Sequence, residues 1–254
     1  MKQWLCLILI LFFWFAPAFG KTKEVSIPIL LYHRFGPAAS DSMTTPTPLF
    51  ESHLKYFSDH GYTVLPLRHL IDYYLGRRAS PSLRSLVITV DDGHRSVYTD
   101  MLPLLKKYHC HATLFLYPSV LSNASYALTW NQLREMKETG AFDFQSHTYW
   151  HPNFKQEKKR LPPDQYETFV KMQLTKSKEK LEKEFYTRVD MLAWPFGIYD
   201  EPLMQKATDA GYVAAFAMMP QHATSRHNRM SLPRYLLTNS NRDAIKKILS
   251  NGSR

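Results

Sequence analysis

The sequence predicts an α/β protein built on a parallel sheet and organised as a single barrel domain, and three observations carry that expectation. Seven or eight short apolar runs alternate with helical stretches, the pattern of repeated β-α units. No internal repeat, low-complexity tract or linker divides the chain. The chemistry-bearing residues His33, Asp91, Asp92, His147 and Pro195 each stand just after a predicted strand, which is where an α/β barrel carries its active site. With 254 residues, 44% hydrophobic and 14% aromatic, the chain has the material for one sizeable core.

Taken in order, the apolar, β-branched run from Val25 to Tyr32 predicts the first strand, ending at His33-Arg34-Phe35-Gly36. Residues 37 to 48 carry Pro, Ser and Thr and read as a loop. Pro48 opens a helix to Asp59 with Phe50, Leu54 and Phe57 on one face and Gly61 beyond its end. Tyr62 to Leu65 predicts a brief strand, Leu67 to Leu75 a helix stopped by Gly76, and 77 to 84 a loop. Ser85-Leu86-Val87-Ile88 leads into Thr89-Val90-Asp91-Asp92-Gly93 as a buried strand with an acidic end. Helix is expected from Val97 to Tyr108 and strand from Ala112 to Tyr117. Thr129 caps a helix from Trp130 to Glu138, and Phe142 to Gln145 runs as strand into Ser146-His147. A long polar helix from Pro163 to Phe185 returns to a strand from Val189 to Trp194. The pair repeats at 202–210 and 212–218, and strand 232–237 followed by helix 242–249 completes the pattern.

Residues 1–20 have a different character. Met1-Lys2 is a short positive start, Trp4 to Phe15 is continuously apolar, and Ala18-Phe19-Gly20 resembles a small-residue cleavage site. This reads as a secretory signal followed by a domain over 21–254; retention as an uncleaved anchor is the other reading, although the run is short for a membrane span. Cleavage removes Cys6 and leaves Cys110 alone, so the exported domain relies on its core and not on a disulfide. Cys110 between His109 and His111 reads as a spectator in the packing, not as a metal ligand. The net charge of +10 favours contact with anionic envelope polymers or membrane surfaces over nucleic acid. Much of the lysine, however, falls between Lys155 and Lys183 among glutamates, as on a solvated helix face.

Two adjacent carboxylates at the end of a buried strand repel each other unless a cation lies between them. By itself Asp91-Asp92-Gly93 also reads as a strand-to-helix turn, with Asp as a cap and Gly freeing the backbone. His147 and His151 are four apart; on one helical turn they would share a face and hold one ion, and two unrelated loop histidines are the alternative. One Asp joined to that pair makes a two-His, one-carboxylate face with positions left for water and substrate. The second carboxylate can then take a proton as water attacks a carbonyl, and hydrolysis of an amide also requires an acid on the far side to protonate the leaving nitrogen.

Thr89-Val90-Asp91-Asp92-Gly93, His147-x-x-x-His151 and Trp194-Pro195-Phe196-Gly197 resemble, in order and spacing, the first three motifs of the polysaccharide deacetylases of carbohydrate esterase family 4, the NodB homology group. The resemblance runs from about Ile27 to Leu237. It implies a distorted (β/α)7-type barrel, Asp91 as general base, Asp92, His147 and His151 as ligands of one divalent ion (Zn²⁺ first, Co²⁺ or Ni²⁺ as alternatives), and the Phe196 main-chain N–H at the oxyanion. The opening Ile29-Leu30-Leu31-Tyr32-His33-Arg34-Phe35 is similar to the branch that deacetylates poly-β-1,6-N-acetylglucosamine in biofilm matrices, and this makes His33 the candidate proton donor. Pro195 and Gly197 shape the loop in either reading, as a tight turn would.

Three departures stand out. Val90 replaces the usual Phe. Leu192-Ala193-Trp194 lacks the Arg that many members use to orient the base; Arg234 can supply a guanidinium from another strand end, but reads as a surface salt-bridge residue. A C-terminal Leu-x-His segment of the common type is absent, which moves the acid role to His33. Tyr149, Trp150, Trp194 and Tyr199 could stack on sugar rings, with Trp150 and Trp194 preferred because each adjoins a motif. The expected protein is an exported, metal-dependent enzyme, periplasmic or secreted, that removes N-acetyl groups from N-acetylglucosamine units of a polysaccharide. Deacetylation of peptidoglycan, chitin fragments or O-acetyl esters, and sugar binding without turnover, are the competing readings.

Overall fold

The computed structural model describes residues 25–239 and 243–251. Along the chain run β1 (Ile29–Tyr32), β2 (Arg34–Gly36), β3 (Thr44–Pro46), α1 (Thr47–Asp59), β4 (Thr63–Val64), α2 (Leu67–Tyr74), β5 (Ser85–Val90), α3 (Leu102–Lys107), β6 (Ala112–Leu116), α4 (Trp130–Glu138), β7 (Phe142–Ser146) and α5 (Phe154–Arg160). Then follow α6 (Pro163–Phe185), β8 (Met191–Ala193), α7 (Glu201–Asp209), β9 (Ala214–Phe216), β10 (Tyr235–Leu236) and α8 (Ala244–Asn251). The signal reading of residues 1–20 and the expected start of the last helix at Arg242 lie outside the described residues.

The main sheet has the order β10-β1-β5-β6-β7-β8-β9, with β4 on β5, and each of these pairings is parallel. Strands buried on both faces read as continuous apolar runs, which is why Ile29–Tyr32, Ser85–Val90 and Ala112–Leu116 are legible as strands. The sheet curls into a distorted (β/α)7-type barrel. Its seam is bridged at Leu232, which exchanges main-chain bonds with Ala215 and Ala217 at 2.8 and 2.9 Å, three residues before Tyr235 pairs with Leu30. Ile29, Val87, Phe115, Met191, Ala193 and Phe216 pack in one core cluster with Leu67, Leu70 and Ile71 of α2. Arg68 of α2 also pairs with the buried Asp190 just ahead of β8, so α2 stoppers the floor of the barrel.

Register sets the rim. Tyr32 lies opposite Val90 and Asp91 N donates to Tyr32 O at 3.0 Å, which puts His33 and Asp91 at one level. His147 N donates to Leu116 O at 2.7 Å, bringing Tyr117 and His147 to the same height two strands away. Three elements differ from expectation, the first being β2, which the sequence shows only as the tail of the first strand. Residues within the expected loop 37–48 form β3, which pairs in parallel with β2. α5 carries a single buried residue, Phe154, on a Lys-rich turn, too little apolar patterning to mark a helix in the sequence.

Candidate active site

Asp92, His147 and His151 converge: one ligand atom from each lies within 4.8 Å of the others. Asp92 Oδ1 is 3.6 Å from Nε2 of both histidines. An ion held at about 2.0–2.2 Å by three tetrahedral ligands separates them by about 3.4 Å, so the spacing fits one. Asp92 Oδ1 is buried with no hydrogen-bond partner, an arrangement that is costly unless a cation completes it. His147 Nδ1 lies 2.8 Å from Ala193 O; as the donor in that bond it leaves the Nε2 lone pair facing Asp92. Burial lowers His147 to about 3 against the pull of Asp91, so its ring is neutral at pH 7. The donor chemistry suits a divalent cation.

The two histidines do not share a helical turn. They belong to a loop in which Thr148 and His151 take left-handed backbone (φ 64° and 58°), and Pro152 keeps helix from starting before Asn153 caps α5. For a β-branched residue such as Thr148 this conformation is strained. The loop is held by side chains: His151 N donates to Thr148 Oγ1 at 3.1 Å, and Gln173 Oε1, fully buried on α6, accepts from Tyr149 N at 3.1 Å and Trp150 N at 2.8 Å. Asp92 is also left-handed (φ 77°), and Gly93 after it (φ 82°) has no room for a side chain, since a Cβ would stand 2.7 Å from Leu116 Cδ2.

Asp91 has a different environment. Burial would raise its carboxyl, but the Arg234 guanidinium, bonded to both oxygens at 2.8 Å, holds it at about 2, with His147 assisting. Arg234 is therefore not a surface residue. It is 0% exposed, its cation lies 5.4 Å from the Phe115 ring centroid, and it enters the barrel from the seam between Leu232 and β10. It supplies Asp91 with the guanidinium that Leu192-Ala193-Trp194 does not. With the Asp91 oxygens on arginine and Asp92 Oδ1 unpaired, the carboxylates are distinguished by geometry. Burial raises Asp92, His33 opposes and Asp91 adds to the rise.

His33 sits beside Asp91 with Nδ1 buried and unbonded; burial lowers its pKa while Asp91 and Asp92 draw it back up. Phe196, left-handed at φ 57° and 53% exposed, lies 4.6 Å from His151 between ring centroids. Pro195 is buried in that turn, and at Gly197 (φ 66°) a Cβ would come within 3.2 Å of Met218. Trp150 is 51% exposed at the rim. Trp194 is not a sugar platform: it is 1% exposed, donates Nε1–H to Met230 O at 2.8 Å and packs on Phe154 and Tyr199. The Lys176 ammonium covers one face of Tyr149 at 4.2 Å. Cys110 stands apart from any His, Asp or Glu cluster among the described residues. Tyr117, 5.2 Å from His151, is a site residue that sequence reasoning missed, although it too follows a strand.

Residues 78–215 match the family model described as polysaccharide deacetylase. A poly-β-1,6-N-acetyl-D-glucosamine N-deacetylase of Staphylococcus epidermidis is 28% identical over 204 residues, covering 79% of this chain and 69% of that protein. The Streptococcus pyogenes deacetylase PplD, solved in complex with acetate, superposes with a TM-score of 0.78 at 25% identity over 89% of this chain and 99% of its own. IcaB from Ammonifex degensii shares the fold, with a TM-score of 0.76 at 22% identity over 90% and 97% of the two chains.

Proposed function

We propose that this chain, which belongs to the polysaccharide deacetylase family, hydrolyses N-acetyl groups from N-acetylglucosamine units of a polysaccharide, with one divalent ion, outside the cytoplasm. The observation that carries the reading is the unpaired Asp92 Oδ1, 3.6 Å from two imidazole nitrogens, next to a second carboxylate already held by arginine. A sugar-binding protein has no use for that costly acid pair. The 28% identity to a poly-β-1,6-N-acetyl-D-glucosamine N-deacetylase supports this substrate class. The apolar start of the chain supports export, and the net charge of +10 supports contact with an anionic envelope.

Asp92, His147 and His151 would hold the ion, Zn²⁺ first and Co²⁺ or Ni²⁺ as alternatives, which when bound polarises the acetyl carbonyl and acidifies water. Asp91, kept charged by Arg234, accepts the proton of the attacking water at a carboxylate oxygen. The main-chain N–H of Phe196, carried on the left-handed turn beside His151, donates to the oxyanion. His33, on the Asp91 side of the mouth, gives its proton to the departing amine. Acetate and a free amine on the sugar are the products.

Acetate release from β-1,4- and β-1,6-linked N-acetylglucosamine oligomers, with metal content measured on the same sample, tests the reading. Asp92→Ala is expected to lose both metal and activity, whereas Asp91→Asn keeps the metal and loses about 10²–10⁴-fold in rate. An Asp92→Ala protein with full metal and full activity refutes it.

A further inference from the structure

The turn that carries Phe196 rests on a side chain that the reaction does not use. Phe196 and Gly197 both take left-handed backbone, at φ 57° and 66°. The turn's own main-chain bonds are Gly197 N to Trp194 O at 2.9 Å and Ile198 N to Pro195 O at 3.0 Å. A large side chain in that conformation costs energy and persists only where the surroundings fix it. Those surroundings are the two residues Met218 and Met219, just past the end of β9. A Cβ on Gly197 would stand 3.2 Å from Met218 N, 3.2 Å from Met218 Cε and 3.3 Å from Met218 Cβ, so the thioether side chain lies directly against the glycine. The sulfur of Met219 is engaged differently: it accepts a hydrogen bond from the Tyr199 hydroxyl at 3.7 Å.

Met218 is half-buried, whereas Met101, Met136 and Met191 are fully enclosed. A half-buried thioether is within reach of a small peroxide. The sulfur lone pair attacks one peroxide oxygen, the O–O bond breaks and an S–O bond forms. The proton on that oxygen passes to the leaving hydroxyl, which departs as water, so sulfur is oxidised and the peroxide reduced by two electrons each. Methionine and hydrogen peroxide become methionine sulfoxide and water. The product is polar and chiral where the thioether was apolar and flexible. Met218 already touches Gly197, so an oxygen added on that side pushes the turn away. A sulfoxide swung out to water instead leaves the turn uncovered. In both cases the strained backbone at Phe196 loses what held it, and its N–H no longer points where an oxyanion forms.

Resting on the deacetylase reading, we propose that Met218 is a modification site: a peroxide converts it to the sulfoxide, the turn that positions the Phe196 N–H shifts, and hydrolysis stops until a methionine sulfoxide reductase restores the thioether. Met218 is thus a positioning residue for the reaction, acting through Gly197 and Phe196.

The test treats the full-length, metal-loaded protein with hydrogen peroxide and maps sulfoxides by mass spectrometry. Acetate release, metal content and amide hydrogen exchange across residues 195–199 are followed in the same samples. In wild type, sulfoxide at Met218 is expected to rise in step with a fall in kcat of about tenfold or more, the scale of one misplaced oxyanion donor, with KM changed far less and metal retained. Reductases for the two sulfoxide epimers are expected to restore the rate. Met218→Leu keeps the bulk without the oxidisable sulfur, so it is expected to hold its rate under peroxide relative to its own untreated sample. Met43 and Met172, also half-buried, are the internal controls for exposure to the oxidant. A Met218 that stays reduced while Met43 and Met172 oxidise, full sulfoxide at Met218 with kcat unchanged, or equal losses in wild type and Met218→Leu each overturn the proposal while the deacetylase reading stands. If the untreated, metal-loaded protein releases no acetate from any N-acetylglucosamine oligomer, that reading falls instead. Hydrogen exchange still decides the shift of the turn: faster exchange across 195–199 on oxidation of wild type but not of Met218→Leu supports it, and equal exchange rejects it.

Discussion

At Asp91 two opposing effects meet, burial that disfavours charge and a guanidinium that demands it, and the guanidinium prevails. The carboxyl is held at about 2, below its unfolded value near 3.9, so the pair contributes stability that is present above about pH 4 and is lost as pH falls through about 2. In Arg234→Met burial acts without its counter-charge and raises the carboxyl, which reverses the sign. The variant is expected to be less stable than wild type by about 3–5 kcal/mol at pH 7, with the gap closing as acid neutralises Asp91. Urea midpoints between pH 3 and 8 measure this, and a gap independent of pH would show that the pair is not its source. Asp91 and Asp92 stand out in the sequence because two acids at a strand end are costly. Their division of labour was not legible in composition or spacing, since the arginine that separates them lies 143 positions away from Asp91.

Among the elements, α6 shows why polar residues on a buried helix face deserve a reason. Its inward stripe of Tyr166, Val170, Leu174, Leu181 and Phe185 is what amphipathic periodicity predicts, but Gln173 and Ser177 interrupt it. Both serve the loop that carries the histidines: Gln173 accepts from two of its main-chain N–H groups, and Ser177 bonds Ser146 at 2.8 Å at its base. Gln173→Leu is expected to weaken metal binding about ten- to a hundredfold while helix content stays unchanged, read by competition with a chromophoric chelator and by circular dichroism. Unaltered affinity would reduce Gln173 to a packing role. Helices with a clear start signal and an apolar stripe, such as Trp130–Glu138 with its Thr129 cap and Pro163–Phe185 with its opening proline, were legible to the residue. β2, β3 and α5 were not, because their pairing or burial depends on neighbours that local patterning does not contain.

On the scale of the whole molecule, parallel register lines up residues from distant parts of the chain at one end of the barrel, so the strand-end rule located His33, Asp91, Asp92, His147 and Pro195 before any contact was known. The same rule, applied to β6, points to Tyr117. What it could not supply was closure of the ring, because Leu232 makes only an isolated bridge to Phe216, Pro233 interrupts the pairing, and strand resumes at Tyr235. Since the candidate ligands come from the turn after β5 and the loop after β7, an ion held between them would bind the folded chain and stabilise it. Stripping it with a chelator is expected to lower Tm by about 10 °C at saturating metal, reversibly on adding Zn²⁺, by differential scanning calorimetry. An unchanged Tm would argue against the ion.

The arginine at the seam also ties competence to the order of synthesis. Every candidate ligand and the proposed base leave the ribosome well before residue 234, so a nascent or prematurely ended polypeptide could own the full donor set while Asp91 lacks its counter-ion. On the proposed mechanism, catalysis begins only when the segment carrying Arg234 docks and shuts the ring, and fragments stopping short of that point are expected to be inert however well they bind metal.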